Sequence, residues 1–306
     1  MGKHILLFLF GCMSLAHSQD MPKVELTSEW VASMQEKISE VVPIPVFVKD
    51  KRKVLIFSLH TGFEHWVIPH TRSVMTLLAE RSGAFEVEHS MDIGSFEAEM
   101  LQKYDVVVLN NNCPERDHRN LFWDVLKEDT TLTKEAQWQK ARELEANLLE
   151  YVAQGGGIML LHGAITMHNM STAFSEMVGG SFDYHPKQQR IHVKPVDSNH
   201  PLVAGFKGKG FSHVDEPYFF KNAYTDLNFR PLLYMESKLL EGLRETPQEH
   251  IHYIAWIKKY GKGRLFYSSA SHNAQSYENT GLLTFLLDGL RYTSGILECD
   301  DSPIGR

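Results

Sequence analysis

Three short apolar runs constrain this chain most: "KVLIFSLH" (53–60), "YDVVVLNNN" (104–112) and "GIMLLH" (157–162). Each is continuous and not alternating, which is how a strand buried on both faces reads. Each also ends on polar side chains: His60, then Asn110, Asn111 and Asn112, then His162. Segments of helical spacing separate them. In "IPHTRSVMTLLAERSG" (68–83), Val74, Leu77 and Leu78 share one face and Gly83 supplies the stop. In "TKEAQWQKARELEANLLEYVAQGG", Trp138, Ala141, Leu144, Leu148 and Val152 recur at steps of three and four, and Gly155 ends the run. "FEVEHS" (85–90) alternates as a strand does. Strands alternating with helices predict an α/β fold, an open parallel sheet with helices on both faces. Ligands of such sheets bind beyond the carboxyl ends of the strands. The polar strand ends are therefore expected along one edge, with residues 113–133 as an excursion over it.

After Gly180 the chain becomes strand-rich. "RIHVKPV", "RPLLYMES" and "HYIAWIKKYGKGRLFYSSASHN" predict antiparallel extensions of the sheet in the C-terminal half, with "KYGKGR" as a turn. "GKGR" (261–264) lacks the spacing and helix context of a phosphate-binding loop and reads as a hairpin turn. "TGLLTFLLDGLRYTSG" (280–295) predicts a closing amphipathic helix. The expected division is a leader (1–18), an N-terminal segment (19–50), one domain (51–295) and a tail (296–306).

The leader, "MGKHILLFLFGCMSLAHSQD", has Lys3, an apolar run from Ile5 to Leu15, and small residues at Ala16 and Ser18. That is the layout of a secretory signal peptide, too short to span a bilayer. A rival reading takes "LFGC" as a lipoprotein site with Cys12 lipidated; the apolar run continuing past Cys12 favours cleavage near Ser18. Both predict an exported protein, periplasmic or secreted. Losing Lys3 and no acid takes the net charge from −7 to −8. A mildly acidic chain without a basic block excludes nucleic acid as the expected partner. Cys113 and Cys299, which then remain, are too far apart for a zinc pattern and too few for a disulfide framework.

Sixteen histidines are many for this length, and several fall at expected strand ends or beside glycines. His60 and His65 lie in "SLHTGFEHW"; His162 ends its strand and His168 follows; His213 precedes "VDEPY"; His272 follows "FYSSAS". Any one alone reads more readily as a surface or a satisfied core histidine than as a functional one. Their shared placement suits either a metal site or a proton-transfer pair. Asp215 and Glu216 are adjacent, so on a strand at most one faces the cleft; a solvated turn is the alternative. Neither G-x-S-x-G nor H-E-x-x-H occurs, which removes the main support for a serine hydrolase or a zincin.

"KVLIFSLHTGFEHWVIP", "YDVVVLNN", "YVAQGGGIMLLHGA", "DEPY" and "YGKGRLFYSSASHN" resemble, in the same order, the motifs of the ThuA-like family, named for trehalose utilisation. The resemblance runs from about Lys53 to Tyr292. It implies a flavodoxin-like core similar to class I glutamine amidotransferases, and a role in carbohydrate metabolism alongside sugar oxidoreductases. Amidotransferases carry a nucleophilic cysteine on the sharp turn after the central strand. Here that position is His162, while Cys113 lies in a different loop with no histidine pair flanking it in sequence, so glutaminase activity is not expected. The reaction the resemblance implies is cleavage or rearrangement of an oxidised glycoside, a 3-keto-sugar. His162, His65, His272 and Glu216 are the acid/base candidates. His162, His213 and His272 are candidate ligands for zinc or another divalent metal, and no nucleotide cofactor is expected. Asn111 and Asn112 are candidates for sugar hydroxyls, and Trp66 and Tyr218, with Tyr184, for sugar stacking. Two other classes stay open: a non-catalytic carbohydrate-binding protein, and a partner of a sugar oxidoreductase docking through 113–133.

Overall fold

The computed structural model describes residues 21–44, 48–245 and 249–305. The leader, with both its cleavage near Ser18 and its rival lipidated Cys12, lies outside the described residues. In chain order the elements are α1 (Ser28–Val41), β1 (Arg52–Phe57), α2 (Ile68–Ser82), β2 (Phe85–Ser90), α3 (Ala98–Leu101), β3 (Val106–Asn110), α4 (Leu121–Leu126), α5 (Lys134–Ala153) and β4 (Gly157–Leu161). There follow α6 (Thr172–Val178), β5 (Ser181–Tyr184), β6 (Gln189–Pro195), β7 (Phe211–Asp215), β8 (Phe219–Lys221), β9 (Arg230–Glu236), β10 (Ile251–Tyr260), β11 (Gly263–Ser268) and α7 (Thr280–Thr293).

Nine strands form one sheet in the order β2-β1-β3-β4-β11-β10-β9-β6-β7. The first five are parallel and the last four run antiparallel to their neighbours. The parallel part has the flavodoxin-like order, whose switch point lies between β1 and β3. Side-chain alternation explains why both faces need helices. Val54 and Ile56 of β1, Val106 and Val108 of β3, and Met159 and Leu161 of β4 enter one core with α1, α2 and α7. Leu55, Phe57, Val107, Leu109, Ile158 and Leu160 enter the other, beneath α5 and α6. A buried leucine contributes roughly 1.5–3 kcal/mol, so truncating Leu144 or Leu148 of α5 opens this second core.

One local expectation changes. The buried face of α5 begins at Gln137 and not Trp138, because Gln137 Nε2 donates to the Asp129 carbonyl at 2.9 Å while Trp138 stacks on Trp123. The closing helix α7 keeps the expected amphipathic pattern and is buried on most sides, because the Pro201–Phe206 segment, α1 and α2 pack on it beside β11. Met34 and Ile38 of α1, in the N-terminal segment, sit in the same core as α2 and α7.

Candidate functional site

The site is built where β1, β4, β7 and β11 end. His162 directly follows β4 with φ +47°, a left-handed conformation that a β-carbon disfavours. The strand-to-helix turn is as sharp as a nucleophile elbow. Gly163 must be glycine, since a β-carbon there would stand 2.7 Å from Cys113 Sγ and 2.9 Å from His65 Cε1. In an elbow the amide after the nucleophile serves an oxyanion. Here the Gly163 N–H is turned to Asn111 Oδ1 at 3.4 Å. Both the thiol and the free amide of an amidotransferase are thus missing at this turn.

His162 is completely buried, and its Nδ1–H donates to the Ser269 carbonyl at 2.6 Å. That bond leaves Nε2 as the nitrogen facing the other groups. Nε2 lies 3.3 Å from Glu216 Oε2 and 3.2 Å from His272 Nδ1, and His272 Nδ1 lies 3.1 Å from the same Glu216 oxygen. His65 completes the group: one ligand atom from each of His65, His162, Glu216 and His272 lies within 4.8 Å of the others. Burial opposes charge on His162, but the hydrogen bond to Glu216 and the charges of Asp215 and Glu216 outweigh it and raise its pKa. Burial likewise opposes charge on Glu216, and the bonds to His162 and His272 overcome it, holding the carboxyl far below its ordinary range. Burial, with His162 and His272 nearby, keeps His65 well below the histidine range.

Donor atoms about 2.0–2.1 Å from a zinc ion at tetrahedral angles stand about 3.3 Å apart. The separations among His162 Nε2, His272 Nδ1 and Glu216 Oε2 match that spacing, and the donor set of imidazoles and one carboxylate suits zinc or a similar divalent ion. The residues therefore fit a metal.

Asp215 organises the cluster without joining it. Its carboxylate accepts the backbone N–H of Glu216 at 2.8 Å, of Ser271 at 2.9 Å and of His272 at 3.3 Å. Of the adjacent acids, Glu216 faces the cluster and Asp215 faces the loop that carries His272. His213 is not among the converging ligands. Two residues before Asp215 on β7, its Nδ1 is engaged by Ser276 Oγ at 2.9 Å and Asp215 Oδ2 at 3.2 Å.

A cavity of about 610 Å³ opens over the cluster, with His65, Glu216, Tyr218, Phe63, His185 and Arg119 among its walls. Tyr218 packs on His162 with ring centroids 4.4 Å apart. Asn111 and Asn112 do not reach this cavity. Both are fully buried; Asn111 Nδ2 donates to Asn110 Oδ1 and Asn112 Nδ2 to the carbonyls of Phe57 and Leu59. Trp66 is half-buried against the core and His70, away from the cavity, and Tyr184 stacks on Phe219. His60 stands outside the cluster, 3.9 Å from Glu64.

Cys113 is closer to the chemistry than its loop suggests: Sγ lies 3.7 Å from His65 Nδ1 and accepts from Thr166 Oγ1 at 3.4 Å. Burial nevertheless pushes this thiol up to about 11, and Cys113 and Cys299 are both free. His185 carried no sequence signal. It lines the cavity, with Nδ1–H donating to the Pro186 carbonyl at 2.9 Å and Nε2 3.8 Å from Glu216 Oε1. A second cavity of about 580 Å³ lies at the opposite edge of the sheet, where Arg52 and Asp105 pair with each other and no histidine is present.

The sequence profile of the ThuA family, described as trehalose utilisation, matches residues 53–293. No curated protein sequence matches the chain. Among solved structures, a ThuA-like protein of Parabacteroides merdae superposes with a TM-score of 0.57 at 18% identity, covering 80% of this chain and 90% of that one. A ThuA-like protein of Bacteroides uniformis superposes with a TM-score of 0.59 at 19% identity, covering 81% and 94%. These two share the fold. With the profile spanning most of its length, the chain belongs to the ThuA, trehalose utilisation, family.

Proposed function

We propose that this protein is an exported enzyme that cleaves or rearranges an oxidised glycoside, a 3-keto-sugar, in the cavity over the His65–His162–Glu216–His272 cluster. The observation that carries the reading is the convergence of His162 Nε2, His272 Nδ1 and Glu216 Oε2 within 3.1–3.3 Å of one another. Such a floor suits a reaction that develops negative charge on an oxygen. A ketone acidifies the neighbouring C–H. Removing that proton turns the C–H electron pair into a C=C bond and shifts the carbonyl pair onto oxygen. As the carbonyl re-forms, the glycosidic C–O bond breaks; its electron pair leaves with the departing sugar, which takes up a proton. Addition of water to the unsaturated product would complete a net hydrolysis.

His185 is the base in this reading. Its Nδ1–H is held by the Pro186 carbonyl, so Nε2 carries the lone pair, and the residue lines the cavity wall beside Glu216. His65, His162, His272 and Glu216 would hold zinc or another divalent ion, which when bound supplies a Lewis acid for the substrate oxygen. Tyr218 and Phe63 offer aromatic surface to the sugar.

Purified protein is incubated with a set of 3-keto-glycosides, and release of the aglycone is followed before and after chelation and metal replacement. Turnover that falls with the metal and returns with zinc, manganese or cobalt supports the reading. Tight sugar binding with no turnover in any metal form replaces it with a non-catalytic carbohydrate-binding role.

A further inference from the structure

Beside the candidate site lies a smaller hollow of about 340 Å³, and the two share Asp117 and Arg119 as a common wall. Trp138, Glu145, His168 and Met170 also line it. Trp138 is half-buried and held flat on Trp123, with ring centroids 3.9 Å apart and planes 6° apart. Met170 is 72% exposed. His168 is only 1% exposed, yet neither of its ring nitrogens has a hydrogen-bond partner among the described residues. Its nearest acid, Glu145 Oε2, stands 3.9 Å from Nδ1, beyond hydrogen-bond reach. Buried polar groups are nearly always paired, so an unpaired imidazole lining a hollow calls for a partner.

The chemistry of that partner follows from the groups present. Burial holds His168 down to about 3, so the ring is neutral and offers one donor and one acceptor. A hydroxyl satisfies both kinds of site. The Glu145 carboxyl adds an acceptor, and an ordered indole offers a face for C–H groups. Hydroxyls on one side and C–H groups on the other describe a sugar ring. We propose that the hollow is a second subsite, where His168, Glu145 and Trp138 bind a further sugar unit of the substrate held over the His–Glu cluster. This rests on the glycoside reading above. It assigns the preferred substrate to di- or oligosaccharides, because Asp117 and Arg119 border both compartments.

The test is equilibrium titration calorimetry of the full protein with methyl glucoside, cellobiose, maltose and trehalose. These unoxidised sugars report binding apart from turnover. At least one disaccharide should bind about tenfold or more tightly than methyl glucoside, about 1.4 kcal/mol. Trp138→Ala and His168→Phe should each reduce that advantage to within about twofold. Where His168→Phe does not fold, as judged by circular dichroism, Trp138→Ala decides. Equal affinities in the wild type, no binding of any sugar, or an advantage that survives Trp138→Ala overturns the subsite. Turnover of keto-glycosides without a disaccharide advantage rejects the subsite alone. A Trp138-dependent advantage without keto-glycoside turnover rejects only the proposed reaction.

Discussion

The Nδ1–H of His162 donates to the carbonyl oxygen of Ser269 at 2.6 Å, joining the end of β4 to the end of its neighbour β11. The bond fixes the ring within a buried site and commits Nε2 to Glu216 and His272. The choice of histidine at the turn thereby acquires a mechanical meaning: the imidazole is both anchored and presented.

His162→Asn should separate those two roles. Asparagine tolerates the left-handed backbone at φ +47° better than most residues, so the melting transition should move by only a few degrees. Turnover of a 3-keto-glycoside should fall by about 10²–10⁴-fold, the usual range for a lost acid–base or ligand group. Bound metal, measured by elemental analysis, should fall with it. A folded variant with full turnover and unchanged metal would remove His162 from the machinery.

Asp215→Asn tests a positioning role. The amide oxygen can still accept one backbone N–H, but the NH₂ group would face donors that the carboxylate now accepts from Ser271, His272 and Glu216. We expect a loss of roughly 2–4 kcal/mol in denaturant unfolding. Metal affinity should weaken as well, which a purely structural defect remote from the cluster would not produce. Unchanged affinity in a destabilised protein would reduce Asp215 to scaffold.

Cys113→Ser should keep turnover within about threefold. With the thiol pushed up to about 11, only about one molecule in a thousand is thiolate at pH 8, so alkylation by iodoacetamide should be slow. Rapid alkylation with loss of activity would mean that the His65 contact activates Cys113, and would restore a thiol mechanism.

His168 predicts an acid-sensitive fold. Its folded-state pKa is about 3 and the unfolded value is about 6.5. Between those values the unfolded chain binds a proton that the native protein refuses, so stability falls as pH drops through this window. The slope approaches about 1.4 kcal/mol per pH unit and vanishes below about pH 3. His168→Phe, next to Phe122 and Phe174, should flatten the dependence of urea stability on pH from 6.5 to 4. An identical slope in the variant would assign the acid sensitivity elsewhere.

The order of strands and helices was legible because a strand buried on both faces must be apolar throughout, as Val106–Leu109 and Ile158–Leu161 are. The edge that carries chemistry was legible too, since polar residues closing such runs have nowhere to go but the rim. Side-chain destination at the rim was decided by tertiary structure. Asn111 and His162 both close strands and both have positive φ, yet Asn111 turns to its neighbours while His162 meets Glu216 and His272. His213 and His272 look alike in sequence, but Ser276 and Asp215 engage the first, and Asp215 also sets the backbone that aims the second. The amphipathic pattern of the closing helix does not reveal what covers it, because Pro201–Phe206 and α1, which pack on it, come from distant parts of the chain. Periodicity reports what each element must bury against its immediate layer; which partner arrives, and which lone pair it engages, depends on chain segments that meet only when the sheet is assembled.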